Sequence, residues 1–266
     1  MTATVPHARP EQAHARRMTH TPALKGLGHA GRDAAALKQL KALGLLDGDA
    51  WHYTWRSRYN VTPTGFVPMV RDAGDLDEDA INRALGQLPQ TRATALLGFN
   101  EPDHKSQAAM TVFEALRLWP QLEKAGLRLG SPATVKPNSP WLEEFMTKAE
   151  RQGRRVDFMT AHSYGWPNAD SFLGKLEAMH KLYQRPIWVT EYAVADFEAR
   201  TKKGNRYTTE QVEQFMRETV EGMREMPYVE RFAWKTRTVN DPAMWVSALF
   251  QNDGSLTSRG RLYASL

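Results

Sequence analysis

Short apolar runs alternate with longer stretches whose apolar residues recur at helical spacing. The runs are Leu24–His29, Trp51–Trp55, Phe66–Val70, Ala95–Phe99, Leu127–Gly130, Phe158–His162, Ile187–Val189 and Arg231–Trp234. Between them, Leu37, Leu40 and Leu43 share one helical face, as do Ile81 and Leu85, and Met110, Phe113 and Leu116. Further along come Trp141, Leu142, Phe145, Met146 and Ala149, then Phe172, Leu176, Met179 and Tyr183, then Val212, Phe215, Met216 and Val220. Leu262 and Tyr263 fall in a short closing helix, Pro120 marks a kink or restart, and the connection after Trp55 shows no helical pattern.

Strands alternating with helices imply βα units around a parallel sheet. Eight such units in 266 residues fit a single (β/α)8 TIM barrel, α/β in class, over residues 22–266. Pro68 breaks one rule, because it cannot donate to a ladder inside the third strand. Residues 1–21 are rich in Ala, Arg, His and Pro, and read as a disordered or linker-like tail without the apolar region of a secretory signal.

Composition narrows the function. Hydrophobic content of 41% supports a large core, and the absence of cysteine removes disulfides and thiolate metal sites. A net charge of +5 without a dense basic stripe argues against nucleic acid as partner. No apolar run reaches the roughly 20 residues that cross a bilayer. No HExxH or paired-histidine spacing exists, so neither a catalytic metal nor another cofactor is expected.

Two strand-like runs end in a carboxylate, Leu96-Leu97-Gly98-Phe99-Asn100-Glu101 and Ile187-Trp188-Val189-Thr190-Glu191. A barrel gathers its C-terminal strand ends on one face, so Glu101 and Glu191 are expected to meet across the mouth. Two carboxyl groups about 5–5.5 Å apart suit a retaining glycosidase, in which one donates a proton and the other attacks the anomeric carbon. Asn100 is placed to reach a sugar 2-hydroxyl, Tyr164 to orient Glu191, and His162 to tune the acid or hold a hydroxyl. Tyr53, Trp55, Trp166, Tyr192 and Trp234 are candidate platforms for the apolar faces of sugar rings, with Trp234 as the floor of the cleavage site. Phe197 and Trp245 stand in the long loops Ala193–Tyr207 and Lys235–Thr257, which are expected to shape the cleft.

The ordered set of motifs resembles glycoside hydrolase family 128, the β-1,3-glucanases among the clan A barrels. It comprises Lys25-Gly26-Leu27, Phe66-Val67-Pro68-Met69-Val70, Leu97-Gly98-Phe99-Asn100-Glu101-Pro102-Asp103, Leu129-Gly130-Ser131-Pro132-Ala133, Trp141-Leu142, Val156-Asp157-Phe158, His162-Ser163-Tyr164 and Pro186-Ile187-Trp188-Val189-Thr190-Glu191-Tyr192. The resemblance spans about residues 24–264. It implies Glu101 as acid/base, Glu191 as nucleophile, a tolerated Pro68, and a β-1,3-glucan polysaccharide or oligosaccharide as substrate. Thr54 stands where an Asn is common, and Lys235 where an aromatic is common. The expectation is an endo-acting retaining hydrolase, a monomer in solution and secreted or periplasmic by function, although no signal peptide is visible. Hydrolysis of mannan, xylan or β-1,4-glucan by the same pair, and non-catalytic binding of β-1,3-glucan, remain open alternatives.

Overall fold

The computed structural model describes residues 20–31, 33–46, 50–60, 64–77 and 79–266. The expected tail at residues 1–21 therefore lies almost wholly outside the described residues. The elements are β1 (Leu24–Gly28), α1 (Ala34–Ala42), β2 (Trp51–Tyr53), α2 (Ala73–Asp77), α3 (Ala80–Gly86), α4 (Leu88–Thr91), β3 (Ala95–Leu96) and α5 (Val112–Glu123). They continue with β4 (Arg128–Leu129), α6 (Pro140–Arg151), β5 (Met159–Gly165), α7 (Ala169–Tyr183), β6 (Ile187–Val194), α8 (Thr209–Glu225), β7 (Val229–Lys235) and α9 (Ser258–Ser265).

Every strand pairing among the ladders is parallel, as βα units require. One sheet has five strands in the order β2-β1-β7-β6-β5, and a second pairs β3 with β4. The fold is thus α/β with a parallel sheet, but these ladders do not join into one ring. Residues 66–70, expected as the third strand, make only single parallel bridges, Phe66 to His52 and Met69 to Leu97. Pro68 explains this: it has no N–H to give, and its carbonyl accepts from the Leu97 amide at 2.9 Å. Further single bridges join Asn100 to Ala133 and Gly130 to Phe158.

The first and last strands pair along Leu24–Gly28 and Arg231–Lys235. Tyr263 on α9 locks this junction, donating to the Gly26 carbonyl at 2.6 Å and accepting from the Trp234 amide. Gly26 is required there, because a Cβ would lie 2.4 Å from the Trp51 indole nitrogen.

Apolar residues divide between two clusters by strand parity. Leu96, Val189, Phe232 and Trp234 face the helices, and Phe99 and Tyr192 join them beyond breaks in the strict alternation. Trp51, Tyr53, Met69, Leu97, Phe158, Trp188 and Ala233 form a second cluster built without helical residues. Helix α5 buries Val112, Leu116 and Trp119 and runs through Pro120. Phe113 sits one position off that stripe and is exposed, contrary to its expected place on the buried face. Side-chain caps from Thr111, Ser139, Asn168, Thr208 and Thr257 start α5, α6, α7, α8 and α9, each contributing about 1 kcal/mol.

Trp188 anchors the second cluster. Its ring stacks on Phe158 at 4.2 Å, lies under the Arg231 guanidinium at 4.3 Å, and donates Nε1–H to Glu230 at 2.7 Å. Trp188→Ala is expected to cost ~3–5 kcal/mol, read as a lower urea midpoint.

Candidate active site

Strict alternation along β6 would put Trp188 and Thr190 on the inner face and turn Glu191 toward the helices. A bulge prevents this. Ala161 pairs with Val189, but the next β5 residue, His162, pairs with Glu191, leaving Thr190 as the extra residue. The β7 ladder shows the same offset, from Val189 with Phe232 to Tyr192 with Trp234. A bulge bends a strand and re-aims the side chains beyond it. Here it turns Glu191 inward and Tyr192 outward. The Tyr53 hydroxyl donates to the Thr190 carbonyl at 2.9 Å and so pins the bulge from β2.

Glu101 is aimed by a different device. It comes just after the Asn100–Ala133 bridge, its amide donates to the Ala133 carbonyl at 2.6 Å, and its φ is +44°. A non-glycine residue held there stores on the order of 1–3 kcal/mol of strain, a pattern found at functional sites.

The two acids meet at His162. Its Nδ1 lies 3.0 Å from Glu101 Oε1 and its Nε2 lies 3.5 Å from Glu191 Oε1. One oxygen of each glutamate and one His162 nitrogen all lie within 4.8 Å of one another. Such a trio has the spacing of a metal site, yet each ring nitrogen already faces a carboxylate. Burial pushes the imidazole pKa down, but the Glu191 and Glu101 carboxylates outweigh it and raise the pKa. With Nδ1 turned to Glu101 and Nε2 to Glu191, the ring bridges the two acids.

Glu191 is buried and saturated with donors. Trp55 donates Nε1–H to its Oε1 at 2.6 Å, and the Tyr164 hydroxyl donates to its Oε2. Burial alone would raise its pKa. The charges of His162 and Lys235, with the hydrogen bonds from Tyr164 and Trp55, hold it instead at about 2. Burial and the Glu191 charge push the Tyr164 phenol far up, so it remains a donor. Trp55 itself has a φ of +54° and lies beneath the Lys235 ammonium, 3.4 Å from its ring centroid.

Glu101, Glu191, Asn100, Trp55 and Tyr164 line a cavity of about 680 Å³. The Asn100 Oδ1 and Thr54 Oγ1 are buried there without hydrogen-bond partners, and both suit a ligand hydroxyl. Phe197, 63% exposed, forms part of the wall and meets Tyr164 edge to face.

Four of the expected sugar platforms lie elsewhere. Trp234 is wholly buried, donates to the Ser247 carbonyl, and packs on Tyr192 in the helix-facing core. Tyr192 stacks on Phe172 in the same layer, because the bulge turns it outward. Tyr53 lies in the inner cluster below the cavity. Trp166 is exposed on the loop after β5, outside the cavity wall. Lys235, noted from the sequence only as standing where an aromatic is common, lines the cavity, as do Arg56, Arg71, Lys136 and Arg237, which the sequence did not single out. Strand parity in the folded protein places Lys235: Phe232 and Trp234 face the helices, so Lys235 faces inward.

A family model described as the glycosyl hydrolase catalytic core matches residues 39–263. No curated protein matches the chain. Among solved structures, the chain is similar to a mutant family-128 (subgroup I) endo-β-1,3-glucanase from Amycolatopsis mediterranei in complex with laminaripentaose. That match has 32% identity, covers 91% of this chain and 98% of the other, and has a TM-score of 0.77. The same enzyme with laminaritriose matches at 33% identity over 91% and 98% of the two chains, with a TM-score of 0.76. A subgroup II endo-β-1,3-glucanase from Sorangium cellulosum matches at 25% identity over 91% and 98%, with a TM-score of 0.73.

The depressed Glu191 pKa fixes a pH dependence. Its stabilising effect is full above the ordinary 4.5 of the unfolded chain, and is lost as pH falls through that range toward about 2. Removing a donor to the charged form raises the pKa. Trp55→Phe is therefore expected to shift the Glu191 carboxyl titration upward, read from the ¹³C shift of the labelled side chain.

Proposed function

Because the chain belongs to glycoside hydrolase family 128, we propose that it is a retaining, endo-acting hydrolase of β-1,3-glucan, with Glu191 as nucleophile and Glu101 as acid/base. The observation that carries this reading is the pair of carboxyl oxygens within 4.8 Å of each other. Retaining enzymes place their carboxyls about 5–5.5 Å apart, whereas inverting enzymes need a gap for water.

In the first step a Glu191 oxygen attacks the anomeric carbon while Glu101 delivers its proton to the departing glycosidic oxygen. The bonds from Trp55 and Tyr164 keep Glu191 ionised and aimed. In the second step the Glu101 carboxylate takes a proton from water, and that water releases the glycosyl ester with net retention. His162, between both acids, offsets the negative charge as it moves from one to the other. The unpartnered Asn100 Oδ1 accepts a sugar hydroxyl.

We read the scaffold as an eight-stranded closed barrel whose third member is the bridged segment 66–70. Four single parallel bridges support closure between β2 and β5. A polymer substrate supports the further proposal that the enzyme acts outside the cytoplasm, and we propose that it does so as a monomer.

Glu191→Ala is expected to abolish release of reducing ends from laminarin and to lower Tm by a few degrees, because it leaves the Trp55 and Tyr164 donors without their acceptor, with a native circular-dichroism spectrum showing that the variant is folded. Glu101→Ala should slow laminarin hydrolysis ~10²–10⁴-fold, the usual contribution of a general acid. The same variant should form the glycosyl-enzyme normally from an aryl glycoside whose leaving group needs no proton. NMR of the first product from a β-1,3-gluco-oligosaccharide is expected to show the β anomer. An α anomer, or near-normal turnover by Glu191→Ala, overturns the assignment.

A further inference from the structure

Among the described residues, the cavity that holds the two acids is lined by five basic side chains, Arg56, Arg71, Lys136, Lys235 and Arg237, and by no carboxylate besides Glu101 and Glu191. Three of the cations are accounted for. Arg71 pairs with Asp72 at 2.7 Å, Arg56 approaches Asp75 at 3.8 Å, and Lys235 sits on Trp55 and faces Glu191. Lys136 and Arg237 have no acidic partner within 4 Å among the described residues. Lys136 comes after β4 and Arg237 after β7, so they stand on different walls. The Arg237 charge also repels Lys235, adding to the burial that already lowers the lysine.

A neutral glucan does not call for this arrangement. Its hydroxyls need acceptors as well as donors, and a lysine or arginine supplies donors alone. Like charges gathered in a concave site also focus a positive potential that attracts anions. Resting on the proposed hydrolysis of β-1,3-glucan, we propose that the preferred substrate is a β-1,3-glucan carrying oxyanion substituents, read by Lys136 and Arg237 beside the cleavage site. The shared chemistry is a carboxylate or phosphate ester on a glucosyl unit. Arg237 offers the fork geometry that grips either one, and Lys136 a point charge.

The test compares kcat/KM on laminarin, lightly carboxymethylated curdlan and lightly phosphorylated curdlan at low salt. At least one charged polymer is expected to exceed laminarin roughly tenfold, and the better of the two identifies the oxyanion. About 0.5 M NaCl should erase the preference by screening. Lys136→Gln with Arg237→Gln should bring the ratio to about one. Arg117→Gln with Arg151→Gln, on α5 and α6 away from the cleft, should leave the ratio intact and so exclude a general effect of net charge. Calorimetry of Glu191→Gln with charged and neutral oligosaccharides gives a readout independent of turnover. Tighter binding of the charged ligand supports the inference even if no polymer is cut, in which case the hydrolase reading falls alone. Normal laminarin hydrolysis with no preference in rate or binding overturns the inference and leaves the hydrolase reading standing.

Discussion

Glu191 carries a negative charge where almost no water reaches it, and the surrounding structure is arranged to hold that charge. An isolated buried carboxylate would take up a proton instead of bearing the desolvation cost. Here the cost is offset by two hydrogen bonds, from Trp55 and Tyr164, and by the charges of His162 and Lys235. Those four groups come from the segment after β2, from β5 twice, and from β7. A single carboxylate thus ties together strands remote in sequence, and their spacing around the sheet becomes a condition of the chemistry. Leaving any of these donors without its acceptor would strand a polar group in the interior, so the cluster is cooperative.

The same demand explains two irregularities that an ideal parallel sheet would lack. Thr190 is an extra residue in β6, and Glu101 occupies a left-handed backbone conformation. Each gives up ladder regularity or conformational ease to turn one carboxylate toward the other. Tyr53 shows how the inner cluster supports this, since its hydroxyl meets the carbonyl of the bulged residue itself. Trp188 and Phe158, stacked beneath, supply the rigid floor from which the bulge rises.

Charge in the cleft is layered. Deepest are the two glutamates with His162 between them, then Lys235 over the Trp55 ring, and toward the opening Lys136 and Arg237. Among the described residues, aromatic surface at this mouth comes from Trp55, Tyr164 and Phe197. The two large residues expected as platforms, Trp234 and Tyr192, stabilise the helix-facing layer instead.

Much of this was legible in the chain before folding. Alternating apolar runs and helical stripes announced parallel βα units, because burying a sheet under helices imposes those two periods. The strand-end positions of Glu101 and Glu191, and the nearness of His162 and Tyr164 to another strand end, came from the same pattern. The weak third strand was signalled by Pro68, since a missing N–H is a local property. Which way each side chain points was not legible, because a strand's parity is reset by one extra residue and nothing in Val189-Thr190-Glu191 marks where the bulge falls. That choice belongs to tertiary structure: it depends on Tyr53 reaching the Thr190 carbonyl and on donors from three other segments converging on one buried charge. Sequence alone determined the kinds of element and the acids at their ends. Only packing determined that those acids face each other while Trp234 and Tyr192 face away, because side-chain direction is settled by partners far along the chain.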